Sequence, residues 1–121
     1  MLWEFGIPGQ KGTPWENRMY KGQLIFNNNF PYDPPTVKFD PLLFHPNVHY
    51  SGFVCLSLLN PTKDWRPNLT IREILLGIQF LLNDPNVNDP AQSEASSCFR
   101  QNRSSYDKRI RNQALAMPLT K

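Results

Sequence analysis

His45-Pro46-Asn47-Val48-His49-Tyr50-Ser51-Gly52-Phe53-Val54-Cys55 holds both histidines of the 121-residue chain and one of its two cysteines. Pro46-Asn47 and Ser51-Gly52 bend the backbone, and a short apolar step then delivers Cys55. Turn residues build no core by themselves, so a polar loop this rich in reactive groups marks a site that the rest of the fold holds in place.

Upstream of this loop the pattern is strands. Trp3, Phe5 and Ile7 alternate with Glu4 and Gly6, which predicts a strand over Leu2–Ile7 with the three apolar residues on one face. Tyr20–Phe26 is a second strand, with Gly22 as a candidate bulge, and Thr36–Phe39 a third. Turn-rich stretches separate them: Ile7–Pro14, then Asn27–Asn29 and Phe30-Pro31-Tyr32-Asp33-Pro34-Pro35. Most of the 12 prolines fall between Pro8 and Pro67, which keeps helices out of the first half. The expected arrangement is a three-strand antiparallel meander.

Downstream, Asp40–Leu69 reads as irregular, and a stretch this long inside one domain is expected to be functional. Helices follow. Thr70-Ile71-Arg72-Glu73 is a capping box, and Ile71, Ile74, Leu75, Ile78 and Leu82 recur at helical spacing, predicting a deeply buried helix that ends at Asn83-Asp84-Pro85. Asp89-Pro90 reads as an N-cap and first helical position, with Gln92 completing a capping box for a helix through about Asn102. Ser104 is expected to cap a last helix carrying Tyr106, Ile110, Ala114 and Met117, closed by Pro118. The fold class is therefore α+β, a β-meander packed with C-terminal helices, and residues 1–121 read as one domain.

Composition narrows the partners. The net charge of +3 is mild and no basic run is interleaved with aromatics, so no nucleic acid is expected. No apolar run reaches membrane-spanning length, so no membrane partner is expected. Cys55 and Cys98 lie far apart and suggest free thiols.

Cys55 is the candidate nucleophile, because a thiol can carry an acyl group as a thioester. A lone cysteine between Val54 and Leu56 is more often a small buried apolar residue, and Cys98 beside Phe99 reads as packing. A protease-like pair with His45 lacks any sign that the ring reaches the sulfur. The paired close spacings of a zinc module are absent, so no metal is expected. Asn47 could supply a carboxamide to a tetrahedral oxyanion, and Asp89 could orient an incoming amine and favour its loss of a proton. Each also has an ordinary structural reading, as turn residue and helix cap. Arg100, Arg103, Lys108, Arg109 and Arg111 read as a solvated helical face.

Taken together these residues resemble the ubiquitin-conjugating enzyme family. His45-Pro46-Asn47 is similar to its His-Pro-Asn motif, Ser51–Leu56 to the segment leading into its active-site cysteine, Asn28–Pro35 to its Tyr/Phe-Pro-x-x-Pro-Pro loop, and Trp65-x-Pro67 with Leu69-Thr70-Ile71 to the entry to its second helix. Ile7-Pro8-Gly9-Gln10-Lys11-Gly12-Thr13-Pro14-Trp15-Glu16, Lys63-Asp64-Trp65-Arg66-Pro67 and Asp89-Pro90-Ala91-Gln92 resemble its SUMO-conjugating members.

The resemblance implies that Cys55 accepts SUMO from an activating enzyme, that Asn47 stabilises the oxyanion or the loop holding it, and that Asp89 positions the substrate lysine. It implies that Lys38, His49, Ser51, Phe53, Lys63, Pro90, Ala91 and Gln92 contact the acceptor, while His45 and Pro46 anchor the loop. Implied partners are SUMO or a related modifier, the activating enzyme, SUMO ligases and proteins with acceptor lysines. No cofactor is implied, since the activating enzyme consumes the ATP, and nucleus and cytoplasm are the expected locations. The alternatives are a non-catalytic interaction module of the same fold, or ubiquitin as the modifier.

Two departures stand out. His49, Tyr50 and Phe53 occupy positions where SUMO-type members usually have tyrosine, proline and threonine, which implies altered acceptor selection and sensitivity to pH near neutrality. The family also begins with a helix and a strand ahead of the position matching Leu2, so three strands are expected here and the first has an open edge.

Overall fold

The computed structural model describes residues 1–120. Three strands, β1 (Leu2–Pro8), β2 (Met19–Ile25) and β3 (Thr36–Phe39), form one antiparallel sheet in the order β1-β2-β3. A single 3-10 turn spans Ser57–Leu59, and three helices follow: α1 (Ile71–Asn83), α2 (Ser93–Gln101) and α3 (Arg103–Ala114). The expected α+β meander is what forms.

The register explains two details. Gly22 pairs with Phe5 on one side and Phe39 on the other in an unbroken ladder, so no bulge occurs there. The position needs glycine for a different reason: a Cβ would lie 2.4 Å from the Lys38 carbonyl and 2.6 Å from the Phe5 ring. The apolar side of the sheet sends Tyr20, Leu24, Val37 and Phe39 into the core, all at 1% exposure or less. Ile7 joins them, whereas Trp3 stays half exposed and packs edge-on against Phe26 at 5.4 Å.

α1 begins as its sequence dictates. Thr70 accepts the Glu73 N–H, and the Glu73 carboxylate accepts the Thr70 N–H, closing the capping box. Ile74 and Ile78 are fully buried against the core, each contributing about 1.5–3 kcal/mol. The helix is amphipathic and not buried all round, because Leu76 and Phe80 remain 50% and 60% exposed.

The predicted helix start at Asp89 is wrong. The Ala91 and Gln92 N–H groups both go to the Pro46 carbonyl, at 2.8 and 3.1 Å, which keeps 89–92 out of the helix, and α2 starts at Ser93. Gln92 also cannot complete a capping box, since its side chain is used elsewhere. At α3 the cap is Asn102, whose side chain accepts the Ser105 N–H, in place of Ser104. Tyr106, Ile110, Ala114 and Met117 form the expected buried stripe.

The stretch between β3 and α1 is less irregular than it reads. Phe39 N–H donates to the Gly52 carbonyl and Val54 N–H to the Val37 carbonyl, both at 2.9 Å, so the segment before Cys55 lies along β3. Gly52 permits this approach: its φ is +97°, and a Cβ would sit 2.8 Å from the Phe39 carbonyl. Further on, buried Trp65 donates its indole N–H to the Pro31 and Tyr32 carbonyls, clamping the 60–67 loop to the proline loop.

Candidate active site

His45 is completely buried. Its Nδ1 accepts the Asn47 N–H at 2.9 Å, so the ring proton sits on Nε2, which donates to the Leu81 carbonyl at 2.8 Å. Burial pushes its pKa down to about 4, partly offset by backbone hydrogen bonds to Leu81 and Leu82. A neutral ring with both nitrogens engaged is no base for Cys55. It ties the loop to the end of α1, and it packs beside Trp15 at 5.8 Å.

Asn47 is 1% exposed, and its carboxamide faces the loop after α1. Nδ2 donates to the Asn86 carbonyl at 2.8 Å and to the Asp89 carbonyl at 3.4 Å, while Oδ1 accepts the Asn86 N–H at 2.7 Å. The Asn47 carbonyl accepts the Cys55 N–H at 2.8 Å. One residue therefore fixes the backbone under Cys55 to the loop that carries Asp89. The longer Nδ2 contact is the weaker of the two.

Cys55 is exposed and unpaired. It opens into a cleft of about 300 Å³ whose walls include Asn47, Ser57, Asn60, Lys63, Asn86 and Asp89. The cleft walls keep part of the solvent from the sulfur, and the Asp89 carboxylate adds negative charge. Both raise the thiol pKa above its ordinary value. The resting group is thus a thiol, and a sulfur of raised pKa is also a slower leaving group once acylated.

The cleft joins Cys55, Asn47, Asp89 and Lys63. The other expected acceptor contacts divide. Lys38, His49, Ser51 and Phe53 form a separate lip: Lys38 Nζ lies 5.6 Å over the Phe53 ring, and His49 Nδ1 accepts the Ser51 N–H at 3.1 Å with the Ser51 hydroxyl 2.8 Å away. Pro90 is exposed and Ala91 half-buried, its N–H bound to Pro46.

Gln92 requires a correction. It is 3% exposed, and Nε2 donates to the Leu43 and Val48 carbonyls at 3.1 and 2.9 Å. A side chain spent on buried carbonyls cannot contact an acceptor; it holds the 43–48 loop to the start of α2. Asn86 escaped the sequence reading. The signal available was Asn86-x-Asn88 between two prolines, a turn that the Asn88 N–H to Asn86 Oδ1 bond indeed closes.

Among the described residues no cluster of three or more His, Cys, Asp or Glu could hold a metal ion, and no helix is long and apolar enough to cross a membrane. The basic residues of α2 and α3 are partly consumed internally: Arg109 pairs with Glu94 at 2.8 Å and lies over Phe44, and Arg103 pairs with Asp107 at 3.3 Å.

Comparison with known proteins meets this geometry. A family model described as "Ubiquitin-conjugating enzyme" matches residues 1–114. The chain is 52% identical over 113 residues to the SUMO-conjugating enzyme UBC9 of Caenorhabditis elegans, covering 93% of this chain and 68% of that protein. It is 44% identical over 117 residues to the Sumo-conjugating enzyme ubc9 of Dictyostelium discoideum, covering 97% and 74%. An exposed thiol, a carboxamide-tied loop and a carboxylate facing one cleft, within a sequence that matches along most of its length, place the chain in the ubiquitin-conjugating enzyme family.

Proposed function

We propose that this chain is a SUMO-conjugating transferase that carries SUMO as a thioester on Cys55 and passes it to substrate lysines. The observation that carries the reading is the exposed Cys55 thiol sharing a cleft with Asp89 and Asn47. The two UBC9 relatives supply the identity of the modifier.

In the first step the Cys55 sulfur attacks the thioester carbonyl that SUMO forms with its activating enzyme. The proton leaves Sγ, a new S–C bond forms, and the old one breaks with its electron pair on the activating enzyme's sulfur, which takes up a proton from solvent. In the second step a lysine amine attacks the same carbonyl. Asp89 holds the ammonium group at the cleft wall and accepts or relays its proton, a contribution of about 10²-fold or more in acid–base chemistry. The tetrahedral oxyanion collapses, the C–S bond breaks and Cys55 regains its proton. Asn47 keeps the Asp89 loop in register and has the Nδ2 hydrogen now on the Asp89 carbonyl to turn towards the oxyanion.

The chain's residues perform this chemistry without a cofactor of their own, ATP being spent by the activating enzyme. The partners proposed are SUMO, its activating enzyme, SUMO ligases and lysine-bearing substrates, in nucleus and cytoplasm. Loading reactions with SUMO or ubiquitin, each with its own activating enzyme and ATP, test the reading. A reductant-sensitive adduct with SUMO alone is expected; an adduct with ubiquitin alone would overturn the choice of modifier.

A further inference from the structure

His49 and Phe53 face each other across a short hairpin that ends at Cys55. Its rungs are the Cys55 N–H to the Asn47 carbonyl at 2.8 Å and the His49 N–H to the Phe53 carbonyl at 2.7 Å, on either side of the Val48–Val54 bridge. The turn closes with the Gly52 N–H on the His49 carbonyl at 2.7 Å. Residues opposite each other, or two apart on one strand, share a face of such a ladder. His49 and Phe53 therefore stand on the Cys55 face, about 7 Å along the strands from Asn47 and Cys55. β3 continues the row, since Lys38 bridges to Phe53 and holds its Nζ 5.6 Å over that ring. Burial agrees. Val37, Phe39 and Val48 point the other way and are at 1% exposure or less, whereas His49 and Phe53 are exposed and Lys38 is half-buried.

The row is a cation, an aromatic ring and an imidazole beside the sulfur. In the neutral imidazole the proton sits on Nε2, because Nδ1 accepts the Ser51 N–H at 3.1 Å and the Ser51 hydroxyl at 2.8 Å. Protonation puts a hydrogen on Nδ1 and ends both bonds. It adds a positive charge to the row that holds Lys38, and it frees the Ser51 N–H as a donor. Both changes favour an anion at the lip. Histidine side chains change charge between pH 5 and 8. The groups that bear on this one are Lys38 from β3 and Tyr50 in its own turn, 6.3 Å away between ring centroids. Asp89 and Lys63 belong to the Cys55 cleft, whose walls do not include His49. Among the described residues no carboxylate pairs with the His49 ring. We propose that His49 is a specificity-determining residue, and that its protonation strengthens the site's preference for acceptor lysines flanked by a carboxylate. The proposal rests on the transferase reading, since it needs the thioester on Cys55. An extended peptide advances about 3.3 Å per residue, so a residue two positions from the acceptor lysine reaches the row.

The test loads Cys55 of the full chain with SUMO, removes the activating enzyme and ATP, and measures discharge to two peptides. They differ only in carrying Glu or Gln two positions beyond the acceptor lysine. Taking the ratio of the two rates at each pH cancels the effect of pH on the attacking amine and on the thioester, and the Glu carboxylate stays ionised from pH 6 to pH 8. The Glu-to-Gln ratio is expected to rise about two- to fivefold from pH 8 to pH 6, the range for one exposed charge pair. Salt at about 1 M should erase the rise. His49→Gln should give a ratio that is flat with pH, and His49→Arg a ratio that is high at both ends. A wild-type ratio that stays level or falls, or a rise that persists in His49→Gln, would overturn the proposal while leaving the transferase reading intact. Failure to load SUMO at all would overturn both.

Discussion

Asn47 and Asn86 are joined twice: the Asn47 carboxamide donates to the Asn86 carbonyl at 2.8 Å and accepts the Asn86 N–H at 2.7 Å. This reciprocal pair, 39 residues apart in sequence, sets where the Asp89 loop lies relative to Cys55. Asn47→Ala removes the partner of the N–H and carbonyl of Asn86, an exposed residue whose bonds to Asn47 are part-buried, at a cost of about 0.5–1.5 kcal/mol for each hydrogen bond lost. Chemical denaturation should show that loss. Single-turnover discharge to a lysine substrate should fall by about 10²-fold, with transfer from the activating enzyme less affected.

Asp89 acts on the sulfur as well as, in the proposed reaction, on the incoming amine. Its charge is the second cause, after burial, of the raised Cys55 pKa. Asp89→Asn should therefore shift the pH profile of Cys55 alkylation to lower pH, while lysine discharge slows by about 10²-fold. An alkylation profile that moves upward would contradict the assigned sign.

His45 gives the fold an acid-sensitive joint. Its folded pKa of about 4 lies below the ordinary 6.5, so the unfolded chain binds the proton first. The stability contributed by the neutral ring is fully present above pH 6.5 and is lost as pH falls through that value towards 4. The loss is on the order of 3 kcal/mol. Unfolding free energies from pH 8 to 4 should show it, and His45→Gln should flatten that limb of the curve.

Gln92 separates structure from recognition. Gln92→Ala removes the donor to the Leu43 and Val48 carbonyls and should destabilise the chain by about 1–3 kcal/mol. The KM for an acceptor peptide should stay near the wild-type value below the unfolding temperature. A raised KM in a fully folded variant would return Gln92 to the acceptor surface.

What could be read in the sequence was whatever is decided within a few residues. Thr36–Phe39 alternates and forms β3; Thr70 and Glu73 lie one turn apart and close their capping box. The motif contexts of Cys55, Asn47 and Asp89 singled them out, and the structure brings the three to one cleft. Gln92 misled because Asp89-Pro90-Ala91-Gln92 has a helix-start pattern, yet the buried carbonyls of Pro46, Leu43 and Val48 compete for its donors, and their presence depends on the whole fold. The Asn86 contact was hidden for the same reason: it needs two loops brought together by packing.

The most direct measurement is the bond that SUMO makes with this chain. After reaction with activating enzyme, SUMO and ATP, intact mass should show one modifier per chain, and peptide mapping should place it on Cys55. Thiol reductant should release it, and Cys55→Ser should yield a reductant-resistant ester or no adduct. A modifier attached with equal yield to the Cys55→Ser chain through a reductant-sensitive bond, or no adduct on the wild-type chain, would contradict the account.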